Sequence, residues 1–104
     1  MLFVPTITSN TTFDPAKNEA NLRKHGVSLK LAEFIDWRAV WCAPDCRRDY
    51  GELREIGYAQ LDGYLYCVVF TQRGRTFRVI SLRKANSREV KRYVEQTEAA
   101  CSDA

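Results

Sequence analysis

The sequence predicts an α+β fold in which two N-terminal helices, an antiparallel sheet of three to four strands and a C-terminal helix follow one another, with the helices on one face of the sheet. Apolar residues recur at helical spacing at both ends of the chain and alternate in between. Two turn signals, Asp62-Gly63 and Gln72-Arg73-Gly74, separate the alternating segments. With 104 residues we expect a single domain, with an extended segment at 1–10 and a frayed tail at 99–104.

The first helix is predicted from Pro15 to about His25. Asp14 precedes it, and a short acidic side chain can accept a hydrogen bond from the free N–H groups of a first turn. Proline suits the first helical position because its missing N–H would be unpaired there. Gly26 then takes the left-handed conformation that ends many helices.

The later elements follow from the same kinds of signal. Ser28 is a suitable cap for a second helix, which we expect to end near Asp36. Asn86 and Glu89 have the spacing of a capping box at the start of the last helix, which we expect to fray after Glu98. Strands are predicted over 39–42, 52–59, 64–71 and 75–82, with a further edge strand at Phe3 and Val4.

The last predicted strand carries arginines among apolar residues. Alternate residues of a strand face opposite sides of a sheet. One face is therefore predicted to hold Phe77, Val79 and Ser81, and the other Arg78, Ile80 and Leu82.

Positive charge is concentrated in one part of the chain. The net charge is +3, yet residues 73–92 hold eight basic side chains and one acidic side chain. The first 72 residues hold eight basic and nine acidic side chains. Such a distribution favours a polyanion such as nucleic acid, and the alternative is a solvated basic face. Arginine makes paired hydrogen bonds with phosphate, so Arg54, Arg78 and Arg83 are candidates for one phosphate clamp.

His25 is the only histidine and the only side chain whose ordinary pKa lies near neutrality. It is a candidate for proton transfer, or simply a cation in the last turn of a helix. Glu52 is a second candidate base, or a surface ion-pair partner of Arg54. Tyr93 is either a substrate contact or a core residue of the last helix.

Several classes of function are not expected. Cys42 and Cys46 lack a second close Cys or His pair, so we expect no metal site. The chain has no glycine-rich nucleotide loop, no nucleophile elbow and no paired carboxylates, so we expect no cofactor, nucleotide hydrolysis or metal-dependent nuclease chemistry. No run of about 18 apolar residues is present, and we expect a cytoplasmic protein without membrane contact.

Three segments in order resemble the BrnT family of toxins from type II toxin–antitoxin pairs, over about residues 11–94. The segments are Phe13-Asp14-Pro15-Ala16-Lys17 with Asn21 and Lys24-His25-Gly26-Val27-Ser28; Asp49-Tyr50-Gly51-Glu52-Leu53-Arg54 with Gly57; and Arg78-Val79-Ile80-Ser81-Leu82-Arg83-Lys84-Ala85 with Glu89 and Tyr93. The sequence departs from the family at Thr11, where an aromatic residue is frequent, at Leu82, where a small residue is common, and in the loop 41–48.

The resemblance implies a RelE-like fold and a metal-independent endoribonuclease that inhibits translation. It also implies a cognate antitoxin with a ribbon-helix-helix DNA-binding domain, in a complex of two copies of each. Operator DNA would be contacted only through that antitoxin. A non-catalytic basic module that binds RNA or a partner, such as an inactive toxin relic, is the alternative.

Within an endoribonuclease the residues take definite roles. Arg54, Arg78 and Arg83 would clamp the phosphate, and His25, or otherwise Glu52, would transfer the proton. The expected RNA contacts are Lys24, Ser81, Lys84 and Tyr93.

Overall fold

The computed structural model of the protein describes residues 10–44 and 53–102, which form five strands and two α-helices. The strands are β1 (Asn10–Thr12), β2 (Trp41–Pro44), β3 (Glu55–Leu61), β4 (Tyr64–Arg73) and β5 (Thr76–Lys84). The α-helices are α1 (Pro15–His25) and α2 (Ser87–Ser102), and two 3₁₀ helices cover Leu29–Phe34 and Trp37–Ala39.

The sheet has the order β1-β5-β4-β3-β2 and is mixed. Strands β2 to β5 form an antiparallel meander, whereas β1 runs parallel to β5, from Asn10 beside Thr76 to Thr12 beside Arg78. The prediction of an antiparallel sheet of three to four strands is therefore wrong in strand number and in the direction of one edge. β1 is three polar residues long and has no apolar alternation that could reveal it. Phe3 and Val4 lie outside the described residues.

The predicted first helix is confirmed at both ends. The Asp14 side chain accepts a hydrogen bond from the Ala16 N–H at 2.9 Å. Gly26 is left-handed, with φ of 70°, and its N–H donates to the Leu22 carbonyl at 2.8 Å. Arg23, Lys24 and His25 form the last turn of the helix, where the carbonyl ends of the peptide dipoles attract positive charge.

The second predicted helix begins where expected but is a short 3₁₀ helix. Ser28 Oγ accepts a hydrogen bond from the Lys30 N–H at 3.2 Å. The turn closes with the Ile35 N–H donating to the Ala32 carbonyl at 3.1 Å, a bond between residues three apart. Leu29, Ala32 and Ile35 are all buried at a spacing of three, which matches the three residues per turn of a 3₁₀ helix. The helix ends at Phe34, ahead of the predicted Asp36.

Leu29, Ala32 and Ile35 pack on one face of the sheet, called the first face below, and form the core together with it. The sheet contributes Ala59, Leu61, Tyr66, Val68, Phe70, Val79 and Leu82. The Trp37 ring stacks on Phe77, with ring centroids 4.3 Å apart, and meets the edge of Phe70 at 4.8 Å.

A bulge in β5 changes which side chains share a face. Ser81 lies opposite Val69 and Val79 opposite Phe70, so Ile80 is an extra residue between two regular pairs. The predicted alternation therefore holds through Ile80 and is wrong for Ser81 and Leu82, which exchange faces. Arg78, Ser81 and Arg83 face the second side of the sheet together, while Phe77, Val79 and Leu82 face the core.

Helix α2 begins with the predicted capping box. The Asn86 N–H donates to Glu89 Oε1 at 2.9 Å, and the Glu89 N–H donates to Asn86 Oδ1 at 2.8 Å. The helix continues to Ser102, beyond the predicted end. Glu89 in its first turn bonds to Tyr58 and Arg83 on the face of the sheet opposite the core, so the expectation that all helices pack on one sheet face does not hold for α2. Val90 and Val94 remain 38% and 41% exposed.

Candidate functional site

Asn21 fixes helix α1 against the edge of β5. Its Nδ2 donates to the Leu82 carbonyl at 2.7 Å and to the Val27 carbonyl at 2.8 Å, and the Leu82 N–H donates to its Oδ1 at 3.1 Å. Strand β1 pairs only with Thr76–Arg78, so the amide of Asn21 takes the place of a neighbouring strand further along the edge. The two hydrogen bonds with Leu82 tie α1 to β5, and Asn18 Oδ1 accepts a further bond from the Leu29 N–H at 2.7 Å.

A cavity of about 560 Å³ lies between α1, the second face of the sheet and the first turns of α2. Its polar lining consists of Lys17, Asn21, Lys24, His25, Tyr58, Ser81, Arg83, Glu89 and Arg92. Ile56, Cys67, Val69 and Ile80 contribute apolar surface beneath them. The cavity therefore has an apolar floor and a predominantly basic rim.

Arg83 and Glu89 form a bidentate ion pair in this cavity. Nη1 and Nη2 of Arg83 donate to Oε1 and Oε2 of Glu89 at 2.7 and 2.8 Å, and the Tyr58 hydroxyl donates to Oε2 at 3.1 Å. The hydrogen bond from Arg83, together with those from the Asn86 N–H and Tyr58, lowers the pKa of Glu89 to about 2. Burial and the neighbouring Cys67 and Glu89 raise the pKa of Tyr58 to about 12, so this hydroxyl keeps its proton at neutral pH.

The ion pair determines which edge of Arg83 can bind a ligand. A guanidinium presents five N–H donors in a planar fork. Glu89 occupies the edge between Nη1 and Nη2, and Nη1 also donates to the Lys84 carbonyl at 3.3 Å. Nε and the second N–H of Nη2 lie outside this ion pair, and the ion pair holds the guanidinium in a defined orientation.

His25 is partly exposed on the rim, in the last turn of α1. Burial and the positive charges of Lys24 and Arg83 lower its pKa below the ordinary value of 6.5. The lowered pKa favours the neutral imidazole, which is the form that can accept a proton.

Four predicted site residues meet in this cavity, and others do not. His25, Lys24, Ser81 and Arg83 all line it. Tyr93 and Lys84 line a second, smaller cavity of about 390 Å³ beside Tyr64, where Lys84 Nζ lies 4.1 Å from the centre of the Tyr64 ring. Glu52 lies outside the described residues.

Arg54 and Arg78 lie further along the second face of the sheet. Arg78 is paired with Thr71 and Arg83 with Cys67, and these partners are four residues apart along β4, roughly 13 Å. Arg54 directly precedes β3, and continuing the register of β3 places it beside Thr71 as well. The three arginines thus share a face without surrounding a single point.

Sequence reasoning missed Lys17, Tyr58 and Arg92 as lining residues. The seven-residue interval between Lys17 and Lys24 could have revealed the first, because residues seven apart lie on one helix face. Nothing in the local sequence distinguishes Tyr58 or Arg92, whose places depend on how the sheet and α2 meet.

Within residues 10–44 and 53–102, no three His, Cys, Asp or Glu side chains lie close enough together to hold a metal ion. The Cys42 thiol donates to Glu55 Oε1 at 3.5 Å, and Cys46 lies outside these ranges. None of the helices described is long and apolar enough to cross a membrane.

Comparisons with known proteins identify the family of the chain and a similar fold. The family model described as "Ribonuclease toxin, BrnT, of type II toxin-antitoxin system" matches residues 13–89. The 1.1 Å crystal structure of the Brucella abortus ribonuclease toxin BrnT is similar, with a TM-score of 0.61 and 25% identity over 77% of this chain and 100% of that chain. No curated protein matches the chain. Because the family model covers about three quarters of the sequence, the chain belongs to the BrnT family of ribonuclease toxins from type II toxin–antitoxin systems.

Proposed function

We propose that the protein is a metal-independent endoribonuclease whose active site is the basic cavity between α1 and the second sheet face. The observation that supports this most is the meeting of His25, an imidazole whose pKa is lowered, and an oriented guanidinium, Arg83, in one cavity. Proton transfer and stabilisation of negative charge are the two requirements of phosphodiester cleavage without a metal.

The proposed reaction uses the RNA as its own nucleophile. His25 accepts the proton of a 2′-hydroxyl, and the 2′-oxygen attacks the adjacent phosphorus. The bond from phosphorus to the 5′-oxygen then breaks, and solvent protonates the leaving oxygen. The products are a 2′,3′-cyclic phosphate and a 5′-hydroxyl end. Arg83 and Lys24 stabilise the charge that develops on the phosphoryl oxygens.

The other predicted residues take flanking roles in this proposal. Ser81 contacts the substrate inside the cavity, while Arg54 and Arg78 bind a phosphate further along the same face. Lys84 and Tyr93 contact RNA beyond α2. Glu52 is the alternative base, and a Glu52→Gln variant that retains full activity would leave His25 in that role.

Cleavage in the presence of EDTA tests the function directly. We expect the purified protein to cut single-stranded RNA with the chelator present, giving products with 5′-hydroxyl ends. An oligonucleotide with 2′-O-methyl riboses should remain intact, because its nucleophile is blocked. A requirement for added divalent metal would contradict the mechanism.

A non-catalytic RNA-binding or antitoxin-binding module is the second candidate. The ion pair with Glu89, which occupies one edge of Arg83, favours it. The same assay separates the two candidates, because a module would bind RNA in EDTA without releasing products.

The partner proposed is an antitoxin with a ribbon-helix-helix domain, in a complex of two toxins and two antitoxins. Its binding would prevent the toxin from inhibiting translation in the cytoplasm, and the antitoxin alone would contact operator DNA. Mass determination of the co-expressed pair tests this stoichiometry.

The pH dependence of cleavage tests the role of His25. If neutral His25 is the base, the rate should rise with pH through a pKa below 6.5 and then level off near neutrality, because deprotonation creates the active form. His25→Gln should cleave about 10²–10⁴ times more slowly and lose this rising limb. An unchanged profile in the variant would assign the base to another residue.

A further inference from the structure

We infer that Lys17 and Arg92, together with Lys24, form a track of phosphate contacts that holds a single RNA strand across the cavity. This inference rests on the proposal that RNA is the substrate, and it assigns binding roles to two residues outside the proposed catalytic group. Lys17 and Lys24 stand on α1, and Arg92 stands on α2 on the other side of the cavity.

Glu89 is the only acidic side chain among the described residues that line the cavity, and it cannot neutralise these cations. Glu89 Oε1 accepts from Arg83 and from the Asn86 N–H, while Oε2 accepts from Arg83 and from the Tyr58 hydroxyl. A carboxylate offers about four acceptor sites. All of them are therefore occupied, and the charge of Glu89 is already matched by that of Arg83.

Within the part of the chain that the structure describes, the three cations consequently have no counter-charge in the cavity. Neither Lys17 nor Lys24 has an ion-pair partner among residues 10–44 and 53–102. The interaction found for Arg92 is with the neutral hydroxyl of Tyr58. Three such charges around one cavity favour a ligand that carries several negative charges, and a phosphodiester backbone has this property.

The spacing of the cations indicates contacts with separate phosphates. Lys17 and Lys24 are seven residues apart on the same face of α1, which places their backbones roughly 10 Å apart along the axis. Asn21 lies between them and fastens the helix to β5, so the row is held in place. A cavity of this size admits one strand rather than a duplex.

Salt-dependent binding of an uncleavable RNA tests the track. The probe is a fluorescein-labelled oligonucleotide with 2′-O-methyl riboses, titrated with the full-length protein at several KCl concentrations. Each phosphate contact with a single strand contributes about 0.7 to the slope of log K against log [KCl]. Lys17→Ala and Arg92→Ala should each reduce the slope by about 0.7, and the double variant by about 1.4.

Matched controls remove the same charge from adjacent positions. Arg23 and Lys91 are exposed neighbours of Lys24 and Arg92 that do not line the cavity. Arg23→Ala and Lys91→Ala should leave the slope close to that of the unchanged protein. Circular dichroism and thermal melting verify that each variant is folded, and Lys17→Gln and Arg92→Gln replace any alanine variant that is not.

The outcomes separate the track from the ribonuclease proposal. Slopes that do not change in Lys17→Ala and Arg92→Ala, or that fall equally in the controls, overturn the track. The probe cannot be cut, so it measures binding alone. If the variants change its binding as expected but the protein does not cleave ordinary RNA, the track is supported and the ribonuclease proposal is contradicted. Cleavage of ordinary RNA with unchanged slopes would remove the track alone.

Discussion

Replacing Asn21 with alanine is expected to lower the free energy of unfolding by about 3–5 kcal/mol. The change removes three hydrogen bonds and leaves the N–H and the carbonyl of Leu82 without partners at the edge of β5. Each buried polar group left without a partner costs about 1–3 kcal/mol. Urea denaturation, with comparison of midpoints at equal slope, measures the loss.

Two further variants sharpen this expectation. Glu19→Ala changes an exposed residue of the same helix and should alter stability by less than about 0.5 kcal/mol. Asn21→Asp retains an acceptor for the Leu82 N–H but loses both donors, so it should be at least as destabilising as alanine at neutral pH. A loss below about 1 kcal/mol in Asn21→Ala would show that Asn21 does not fasten α1 to the sheet.

Arg83→Ala is expected to reduce RNA cleavage by about 10²–10³-fold, the usual loss when one oriented donor to transition-state charge is removed. Growth inhibition should disappear with it, while antitoxin binding remains. Arg83→Lys should restore little activity, because an ammonium cannot engage Glu89 and a phosphate through two edges of one planar group. Single-turnover cleavage and growth assays measure both variants.

The stability of the Arg83 variants needs its own control. Arg83→Ala leaves the carboxylate of Glu89 without its cationic partner, which we expect to cost about 1–3 kcal/mol. Arg75→Ala removes an equal charge from the exposed turn before β5, away from the cavity, and should cleave RNA normally. Full toxicity of Arg83→Ala would exclude Arg83 from the active site.

Arg78, which lies on the same sheet face as Arg83 but outside the cavity, gives a different expectation in the same cleavage and growth assays. Arg78 lies roughly 13 Å along the sheet from Arg83. Arg78→Ala should therefore weaken RNA binding more than it slows the bond-breaking step. This distinction was invisible in the sequence, where the two arginines differ only by five positions on one strand.

Features that depend on neighbouring residues could be predicted from the sequence. Helix α1, its Asp14 cap and its Gly26 end are such features, because the local chain supplies every donor and acceptor involved. The hairpin at Asp62-Gly63 is another, since both residues adopt positive φ, 50° and 84°, as a tight two-residue turn requires. The capping box of α2 is reciprocal within four residues.

Features that depend on distant residues could not be predicted from the sequence. Strand β1 is polar and short, and it exists because the edge of β5 offers it backbone partners more than sixty residues away. The bulge at Ile80 appears only in the register with β4, yet it decides that Ser81 faces the same side as Arg78 and not the core side with Val79. The occupation of Arg83 by Glu89 likewise requires that α2 start beside the sheet.

The sequence by itself determined the local elements of this protein, their order, its basic segment and its resemblance to the BrnT family. Those properties reside in short-range hydrogen bonding, side-chain periodicity and charge. The tertiary structure decided which residues share the cavity, which edge of Arg83 is occupied by Glu89, and that the pKa of His25 is lowered by burial and by Lys24 and Arg83. Such properties arise from burial and from contacts across the fold, because pKa values and guanidinium geometry respond to whatever lies nearest in space.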